Sequence, residues 1–300
     1  MNIRSISLIV SGLLSLGFYT SIQAAPITFN TALPVGKGEF IIRQQFMLMQ
    51  SGDDKSGANR NRREYRSMTA AVYGINSRVS LFGTLPYRDI SWSINDTGQK
   101  VNRGSEGVGD AQLFGRYIFH QDHAKGATFR IAAFTGIKIP TGKNDHSDSL
   151  GKLPAAVQSG SGSLDGFGGI VVTQQTLSYQ IDSQISYRHN TESDNFRVGD
   201  IFKLDASLQK RAWPDRLTVG VPMYLYAVLE SNLTYQGKNK VNGTADDNSG
   251  GTRIFLSPGL QIVTRRWIAE GAIQIPVLES LNGTALEGKY MVRAGIRINF

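Results

Sequence analysis

Apolar and polar residues alternate along most of this chain, most clearly in its last eleven residues. From Tyr290 to Phe300 every second side chain is apolar or aromatic, whereas Arg293, Arg297 and Asn299 occupy the opposite face. A period of two residues predicts an extended β-strand. A last strand that ends on an aromatic residue is typical of bacterial outer-membrane barrels, in which apolar side chains face lipid and polar side chains face the lumen.

The same alternation recurs in further segments, which short turns and long polar loops join in turn. The predicted strands are residues 38–50, 64–75, 78–88, 108–120, 127–139, 165–175, 179–189, 199–211, 217–230, 252–263, 267–278 and 290–300. Among the predicted long loops are residues 89–106 and 140–163. An even strand number of about 12, with all long loops on one side, is expected of a single-chain outer-membrane barrel. A β-sandwich would not sort its loops by length. The sequence therefore predicts an all-β fold, a single antiparallel transmembrane β-barrel closed by the C-terminal strand.

The first residues of the chain have the features of an export signal. A basic start ending at Arg4 precedes an apolar stretch from Ile6 to Phe18, and Ile22-Gln-Ala24 resembles a cleavage site. The apolar stretch is shorter than the roughly 18–20 residues that a membrane-spanning helix needs. We therefore predict a cleaved signal peptide at residues 1–24 and one outer-membrane barrel domain at residues 25–300. An uncleaved anchor is the alternative.

Composition and charge agree with an exported barrel. Hydrophobic residues make up 40% of the chain and the mean hydropathy is −0.20, as expected when only alternate residues face lipid. The absence of cysteine excludes disulfides and thiolate metal sites. Neither a cofactor nor a metal is expected. The net charge of +8 favours an acidic partner. Export to the outer membrane of a Gram-negative bacterium argues against nucleic acid and favours lipopolysaccharide or an anionic solute.

Charged residues within the predicted strands are expected to line the lumen. An Arg or Lys at the bilayer midplane costs about 2–4 kcal/mol, so the charged faces of the strands should point inward. The predicted pore-lining residues are Arg116, Arg130, Lys138, Asp182, Lys203, Asp205, Arg253, Glu270, Arg293 and Arg297. Their alternative role is to pair across strands and brace the barrel wall.

Two further functions remain open at this stage. A structural barrel could hold lipopolysaccharide with a basic loop that contains Lys55, Arg60, Arg62 and Arg63. An outer-membrane lipid hydrolase would need a base and a nucleophile, for which His189 with Ser186 or Ser193 are the candidates. Ser186 and His189 are three residues apart and therefore point to opposite faces of a strand. No catalytic residue is predicted, and the protein is expected not to be an enzyme.

Three short segments between Tyr73 and Gly168 resemble a known family. They are Gly-Val-Gly-Asp at 107–110, Lys-Ile-Pro-Thr-Gly at 138–142 and Gly-Ser-Gly-Ser at 160–163. Their order is similar to that of the outer-membrane family called "MetA-pathway of phenol degradation", and the motif residues are Gly109, Asp110, Pro140, Thr141 and Gly142. The resemblance implies a barrel that moves small aromatic or other hydrophobic compounds.

The expected function is passive uptake of such compounds through an outer-membrane channel. A barrel of about 12 strands should leave a path narrower than that of a porin. The loop at residues 140–163 is long enough to fold into that path as a constriction. The expected partners are a small-molecule solute, outer-membrane lipids with lipopolysaccharide, and the barrel-assembly machinery, which would recognise the C-terminal strand.

Overall fold

A computed structural model describes residues 24–96, 98–215 and 220–300 of the chain. The predicted signal peptide therefore lies outside the described residues, except for Ala24. Among the residues described, no helix is long and apolar enough to cross a membrane.

The described residues form strands of two kinds, long strands of the barrel and two-residue strands within the outer loops. The strands are β1 (Phe40–Gly52), β2 (Asn61–Gly74), β3 (Val79–Asp96), β4 (Gln99–Val108), β5 (Ala111–Ala124), β6 (Ala127–Ile139), β7 (Ser147–Asp148), β8 (Gly151–Lys152), β9 (Asp165–Thr176), β10 (Tyr179–His189), β11 (Glu192–Ser193), β12 (Phe196–Arg197), β13 (Ile201–Trp213), β14 (Met223–Gln236), β15 (Lys240–Val241), β16 (Thr244–Ala245), β17 (Gly251–Thr264), β18 (Trp267–Leu281) and β19 (Glu287–Asn299). One 3₁₀ helix, Ala155–Val157, lies in the loop after β8.

The long strands close into a barrel of twelve antiparallel positions, which confirms the predicted fold class. The last strand, β19, pairs with both β18 and β1, and the Phe300 amide donates to the Phe40 carbonyl at 2.8 Å. Strands β4 and β5 both pair with β3, β4 along its outer half and β5 along its inner half. β4 and β5 thus occupy the same strand position of the barrel, and Gly109 and Asp110 lie between them.

The outer surface of the barrel carries an apolar belt. Large apolar side chains that alternate with lumen-facing residues are exposed on the outside, among them Leu81, Leu113, Ile137, Leu204, Leu260 and Ile296. Buried polar side chains, such as Gln45, Gln209 and Gln261, occupy the inner face. Exposure of this apolar surface to water would cost free energy, whereas in a bilayer the same surface contacts lipid chains. The protein is a transmembrane barrel of the outer membrane of Gram-negative bacteria.

The largest differences from the predicted strand boundaries occur at two places. Residues 89–106, predicted as a loop, extend β3 and form β4 as a tall hairpin beyond the barrel wall. Ile90, Trp92 and Ile94 alternate with polar residues, and Ile90 is buried beneath the following loop, so the period of two was present in the sequence. The strand predicted at 217–230 is β14, which begins at Met223 and ends at Gln236. Its outer half continues with polar residues that face the lumen.

The chain before β1 lies inside the barrel. Residues 24–35, here called the lumen segment, cross the inner half of the lumen in an extended conformation. Ile27 packs on Val228 and Ala272, and Ala32 packs on a separate cluster that includes Ile118 and Val171. This placement was not predicted. The residues that would follow cleavage are therefore part of the core of the barrel.

Candidate functional site

The lumen segment is held by side chains of many strands. The Glu230 carboxylate accepts bonds from the amides of Ile27 (2.7 Å) and Thr28 (3.0 Å). The Thr173 hydroxyl accepts a bond from the Ala32 amide at 2.8 Å. Because an extended peptide has no internal hydrogen bonds, the barrel wall has to supply partners for its backbone groups. The wall therefore binds this segment much as it would bind a ligand.

Cationic side chains satisfy the carbonyl groups of the same segment. Arg116 donates to the carbonyls of Thr31 and Leu33. Arg43 donates to the Ile27 carbonyl at 2.9 Å and pairs with the Glu270 carboxylate at 2.6 Å. The lumen segment thereby occupies part of the inner half of the pore, and the space for a solute lies above and beside it.

Four phenylalanines form one wall of this space. Phe82, Phe114, Phe134 and Phe167 come from the adjacent strands β3, β5, β6 and β9, and all four side chains point into the lumen. The rings of Phe82 and Phe114 stack at 4.4 Å between centroids, and Phe114 contacts Phe134 at 6.1 Å and Phe167 at 5.8 Å. We call these four residues the phenylalanine wall. Its stacked and tilted contacts are those that aromatic rings prefer.

Two glycines opposite the rings make room for this wall. Gly136 pairs with Phe114, and a Cβ atom there would lie 2.3 Å from the Phe114 Cβ. Gly169 pairs with Phe134, and a Cβ atom there would lie 2.8 Å from the Phe134 ring. Any other residue at these positions would have to displace an aromatic ring or the neighbouring strand.

Two cavities lie in the lumen and form a candidate path. The inner cavity has a volume of about 530 Å³ and borders the phenylalanine wall and the lumen segment. The outer cavity has a volume of about 580 Å³ and opens among the outer loops. Arg66 and Gln112 line both cavities. A solute that enters from outside would therefore pass these two side chains before it reaches the phenylalanine wall.

The predicted pore-lining residues divide into three groups. Arg116, Lys203, Asp205, Arg293 and Arg297 line the inner cavity. Lys138 lines the outer cavity and pairs with Asp165 at 2.6 Å. The remaining four bind other parts of the protein. Two of them are in ion pairs, Glu270 with Arg43 and Arg253 with Glu279. The other two form hydrogen bonds, in which Asp182 accepts from the Thr31 hydroxyl and Arg130 donates to the Thr128 hydroxyl.

The loop at residues 140–163 folds over the lumen and forms a wall of the outer cavity. Leu153 and Val157 of this loop pack on Ile90 of β3. Arg88 donates to the carbonyls of Gln158 (3.2 Å) and Ser159 (2.9 Å). The loop therefore narrows the outer mouth and leaves a cavity beside it.

The two alternative functions find little support in the geometry. In the basic loop, Arg60 pairs with Asp54 at 2.5 Å and Lys55 with Glu287 at 2.5 Å, so both cations have partners within the protein. The hydrogen bond from Arg60 holds the pKa of Asp54 well below its usual range. His189 contacts Asp200 and Arg197. Within residues 24–96, 98–215 and 220–300 it has no hydrogen bond to a serine.

Comparison with known proteins identifies the family. The family model described as "Putative MetA-pathway of phenol degradation" matches residues 49–269, well over half of the 300 residues. The chain belongs to this family. A search among curated proteins found no match.

A solved structure shares the fold of this member of the phenol-degradation family. The COG4313 outer membrane channel from Pseudomonas putida F1 has a TM-score of 0.69 at 11% identity, over 93% of this chain and 100% of that chain. The translocator domain of the autotransporter NalP from Neisseria meningitidis has a TM-score of 0.42 at 11% identity, over 89% and 90%. The CymD monoaromatic hydrocarbon channel has a TM-score of 0.40 at 8% identity, over 89% of each chain. At these identities the likeness to the Pseudomonas channel shows the barrel fold alone.

The motif residues of the phenol-degradation family meet at one point of the structure. The Asp110 carboxylate accepts bonds from the Gly142 amide (3.1 Å) and the Ser161 amide (2.9 Å), and it pairs with Lys138 at 3.2 Å. The Thr141 hydroxyl donates to the Gly109 carbonyl at 2.9 Å. The motif thus ties the break between β4 and β5 to both ends of the loop at 140–163. Pro140 lies beside this junction and is exposed.

Replacing Asp110 by Ala is expected to loosen the loop at 140–163. The change removes the acceptor of two backbone amides, which we expect to cost about 1–3 kcal/mol. Trypsin should then cleave faster at Lys143 and Lys152, which are both exposed within this loop. Asp145→Ala is the matched control for cleavage at Lys152, because Asp145 is exposed in the same loop and its own ion pair is with Lys143. Equal cleavage rates for the two variants would show that Asp110 does not hold the loop.

Sequence reasoning missed three parts of this site. The lumen segment has no clear periodicity. Phe82, Phe114 and Phe167 were not assigned, although the alternation in their strands places them on the same face as Thr84, Arg116 and Asp165. Arg66 and Arg88 were also missed. The period of two could have found the phenylalanines, whereas their convergence depends on the register of four strands.

Proposed function

We propose that this protein is an outer-membrane channel for the passive uptake of small hydrophobic or aromatic compounds. The observation that carries the proposal is the phenylalanine wall beside a cavity of about 530 Å³ in the lumen. The lumens of general porins are polar and filled with water. A cluster of four aromatic rings in contact with that space provides apolar and stacking surface for a ring-shaped solute.

The comparisons agree with this proposal, but its main support is the phenylalanine wall. The family description refers to phenol degradation, and the Pseudomonas putida protein is described as an outer membrane channel. Conduction requires no chemical step, only a binding site weak enough for the solute to leave again. The absence of a serine partner for His189 within the described residues favours a channel over a hydrolase. For assembly, we expect β19 to be the strand that the barrel-assembly machinery recognises.

Truncation of Phe114 tests the proposal. Phe114 contacts all three other rings of the phenylalanine wall, and each aromatic pair contributes about 0.5–1.5 kcal/mol. In intact Gram-negative cells that carry the protein, Phe114→Ala is expected to lower the uptake rate of radiolabelled phenol severalfold. The matched control is Leu113→Ala, since Leu113 is the preceding residue and faces lipid.

Cells without the protein supply the baseline for this measurement. The proposal requires that the native protein raises the phenol uptake rate above this baseline and that Leu113→Ala retains the increase. Equal uptake with and without the protein, at equal surface expression, would refute a channel for aromatic solutes. Equal uptake by the native protein and Phe114→Ala would exclude the phenylalanine wall as the solute path.

A further inference from the structure

The inner cavity has two chemically different sides. The phenylalanine wall forms one side, on β3, β5, β6 and β9. Around the remaining circumference the side chains are strongly cationic. Six of the seven Arg or Lys side chains that border the cavity lie there, against the two carboxylates of Glu39 and Asp205, and the seventh, Arg116, is on β5. A neutral aromatic solute would use the first side of the cavity and leave the second without a partner.

Three of these cations have no carboxylate within ion-pair distance in the part of the chain that the structure describes. Arg188 donates to the Gln112 side chain at 3.1 Å, and its guanidinium lies 5.3 Å from the centre of the Phe167 ring. Arg293 donates to the Gln274 side chain at 2.7 Å. Lys203 is solvent-accessible inside the lumen. The contacts of the two arginines are thus to amide oxygens, an aromatic ring and, for Arg293, the Met47 sulfur at 2.9 Å.

Two of these cations are neighbours on the barrel wall, and the third interacts with one of them from another strand. Arg188 and Lys203 are diagonal neighbours on β10 and β13, because Arg188 pairs with Ile201 and Lys203 pairs with Ser186. Arg293 lies on β19 and interacts electrostatically with Lys203. We call Arg188, Lys203 and Arg293 the cation triad. Asp205, the acid that interacts electrostatically with Lys203, already accepts bonds from Gln184 and Asn232. Arg188 interacts with Asp165 and Asp110, both of which bind Lys138.

Several other lumen cations are paired with acids, whereas Arg116 is satisfied by the carbonyls of the lumen segment. Arg43 pairs with Glu270 at 2.6 Å, Lys138 with Asp165 at 2.6 Å, and Arg253 with Glu279 at 3.1 Å. Like charges that face one another without counter-charges repel and cost stability. The cation triad departs from this pattern at the point where the phenylalanine wall begins. An arrangement that costs stability at a cavity is a marker of a binding site.

We propose that the inner cavity binds aromatic carboxylates, with the ring against the phenylalanine wall and the carboxylate at the cation triad. Arginine and lysine form strong charge-assisted hydrogen bonds to carboxylates. Arg188 joins the two sides, because it contacts Phe167 and belongs to the triad. The proposal rests on the proposed uptake function and narrows its solute class from aromatic compounds in general to aromatic anions.

Binding to the refolded full chain in zwitterionic detergent micelles tests this site without requiring conduction. Isothermal titration calorimetry compares benzoate with benzamide, a neutral analogue of similar shape, and with acetate, an anion without a ring. Benzoate is expected to bind at least about tenfold more tightly than either, a difference of about 1.4 kcal/mol. Empty micelles give the correction for partitioning into detergent.

Three substitutions locate the anion site. Lys203→Met, Arg188→Gln and Arg293→Gln should each weaken benzoate binding about tenfold or more and leave benzamide binding nearly unchanged. Lys125→Met is the matched control for Lys203→Met, because Lys125 is exposed in the turn between β5 and β6. The Lys203 variant is the most informative of the three, since the other two side chains also hydrogen-bond Gln112 or Gln274.

The outcomes separate this proposal from the proposed function. Benzamide binding as tightly as benzoate would overturn the anion site, and phenol uptake could still show an aromatic channel. Acetate binding as tightly as benzoate would show that the phenylalanine wall does not contribute to binding at this site. Tight benzoate binding that survives all three substitutions would place the site elsewhere. Failure of the uptake function is shown only by equal phenol uptake with and without the protein.

Discussion

Deleting residues 26–35 is expected to raise the single-channel conductance of this protein roughly three- to tenfold, because pore size in a barrel depends on what fills its lumen. The deleted residues form most of the lumen segment, which occupies part of the inner half of the pore. Ile27, Ala32 and Leu33 are buried there against the barrel wall. The measurement is ion current through the refolded protein in planar bilayers, compared with the undeleted chain.

The deletion should leave the barrel itself intact. Strand pairing between β1 and β19 begins beyond the deleted residues, at Ile41 and Asn299. The change exposes buried polar groups such as Glu230 and Thr173, but water that enters the opened lumen can satisfy them. Heat-modifiable migration on gels, which reports a closed barrel, is the check on folding. A same-length replacement of residues 26–35 by Gly and Ser is a second variant, which should give a smaller increase in conductance.

A cross-link tests the position of the lumen segment independently of conductance. The hydroxyls of Thr31 and Thr173 are 3.1 Å apart, and the native chain has no cysteine that could compete. The double variant Thr31→Cys/Thr173→Cys is expected to form an intramolecular disulfide in high yield. Thr31→Cys/Thr69→Cys is the matched control, because Thr69 is on the outer face of β2. Equal cross-linking in both variants, or unchanged conductance after a deletion that folds, would contradict a segment that fills the pore.

The barrel could be predicted from sequence because its signal is local and repeated. Every lipid-facing position must be apolar and every spanning backbone group must pair, so each strand shows the period of two independently. The face that carries Arg293 and Arg297 was assigned from the last strand alone, and the structure places both residues on the inner face. Errors occurred where a strand extends beyond the bilayer. At Ile90 the period of two is present, but the apolar side chain lies beneath a loop, and no lipid requires an apolar outer face.

The partners of the lumen residues could not be predicted, because they depend on contacts between distant parts of the chain. Arg43 and Glu270 are 227 residues apart in sequence, and Ile27 and Glu230 are 203 apart. The two roles considered for the charged residues both occur. Arg253 pairs with Glu279 within the barrel wall, whereas Lys203 faces the cavity. Alternation shows that a side chain points inward, but it does not show what the side chain meets.

Replacing Glu64 by Gln is expected to destabilise the protein by about 3–5 kcal/mol, the usual cost of removing one partner from a buried ion pair. The Glu64 carboxylate is buried and binds three arginines at once. It accepts bonds from Arg66 at 2.8 Å and Arg88 at 2.9 Å, and it pairs with Arg62. Gln retains one acceptor oxygen and removes the charge, so three neighbouring guanidinium groups would lose their shared counter-charge.

The same substitution should also release the loop at 140–163. Arg62 donates to the Ala156 carbonyl at 3.0 Å and Arg88 to the Ser159 carbonyl at 2.9 Å, and Glu64 orients both side chains. Urea unfolding in lipid vesicles measures the stability, and trypsin cleavage at Lys152 measures the release of the loop. The matched control is Glu106→Gln, an exposed residue of β4, which should change the unfolding free energy by less than about 0.5 kcal/mol.

A second substitution separates charge from packing in this cluster. If uncompensated arginine charge is the cause of the loss, Arg88→Met in the Glu64→Gln background should cost less than Arg88→Met alone, because one repelling cation is then removed. Equal costs in the two backgrounds would mean that Glu64 acts through packing.

A loss below about 1 kcal/mol for Glu64→Gln would mean that water entering the outer cavity screens the arginines, as it does for exposed ion pairs. The outer mouth would then be held by the Asp110 junction alone.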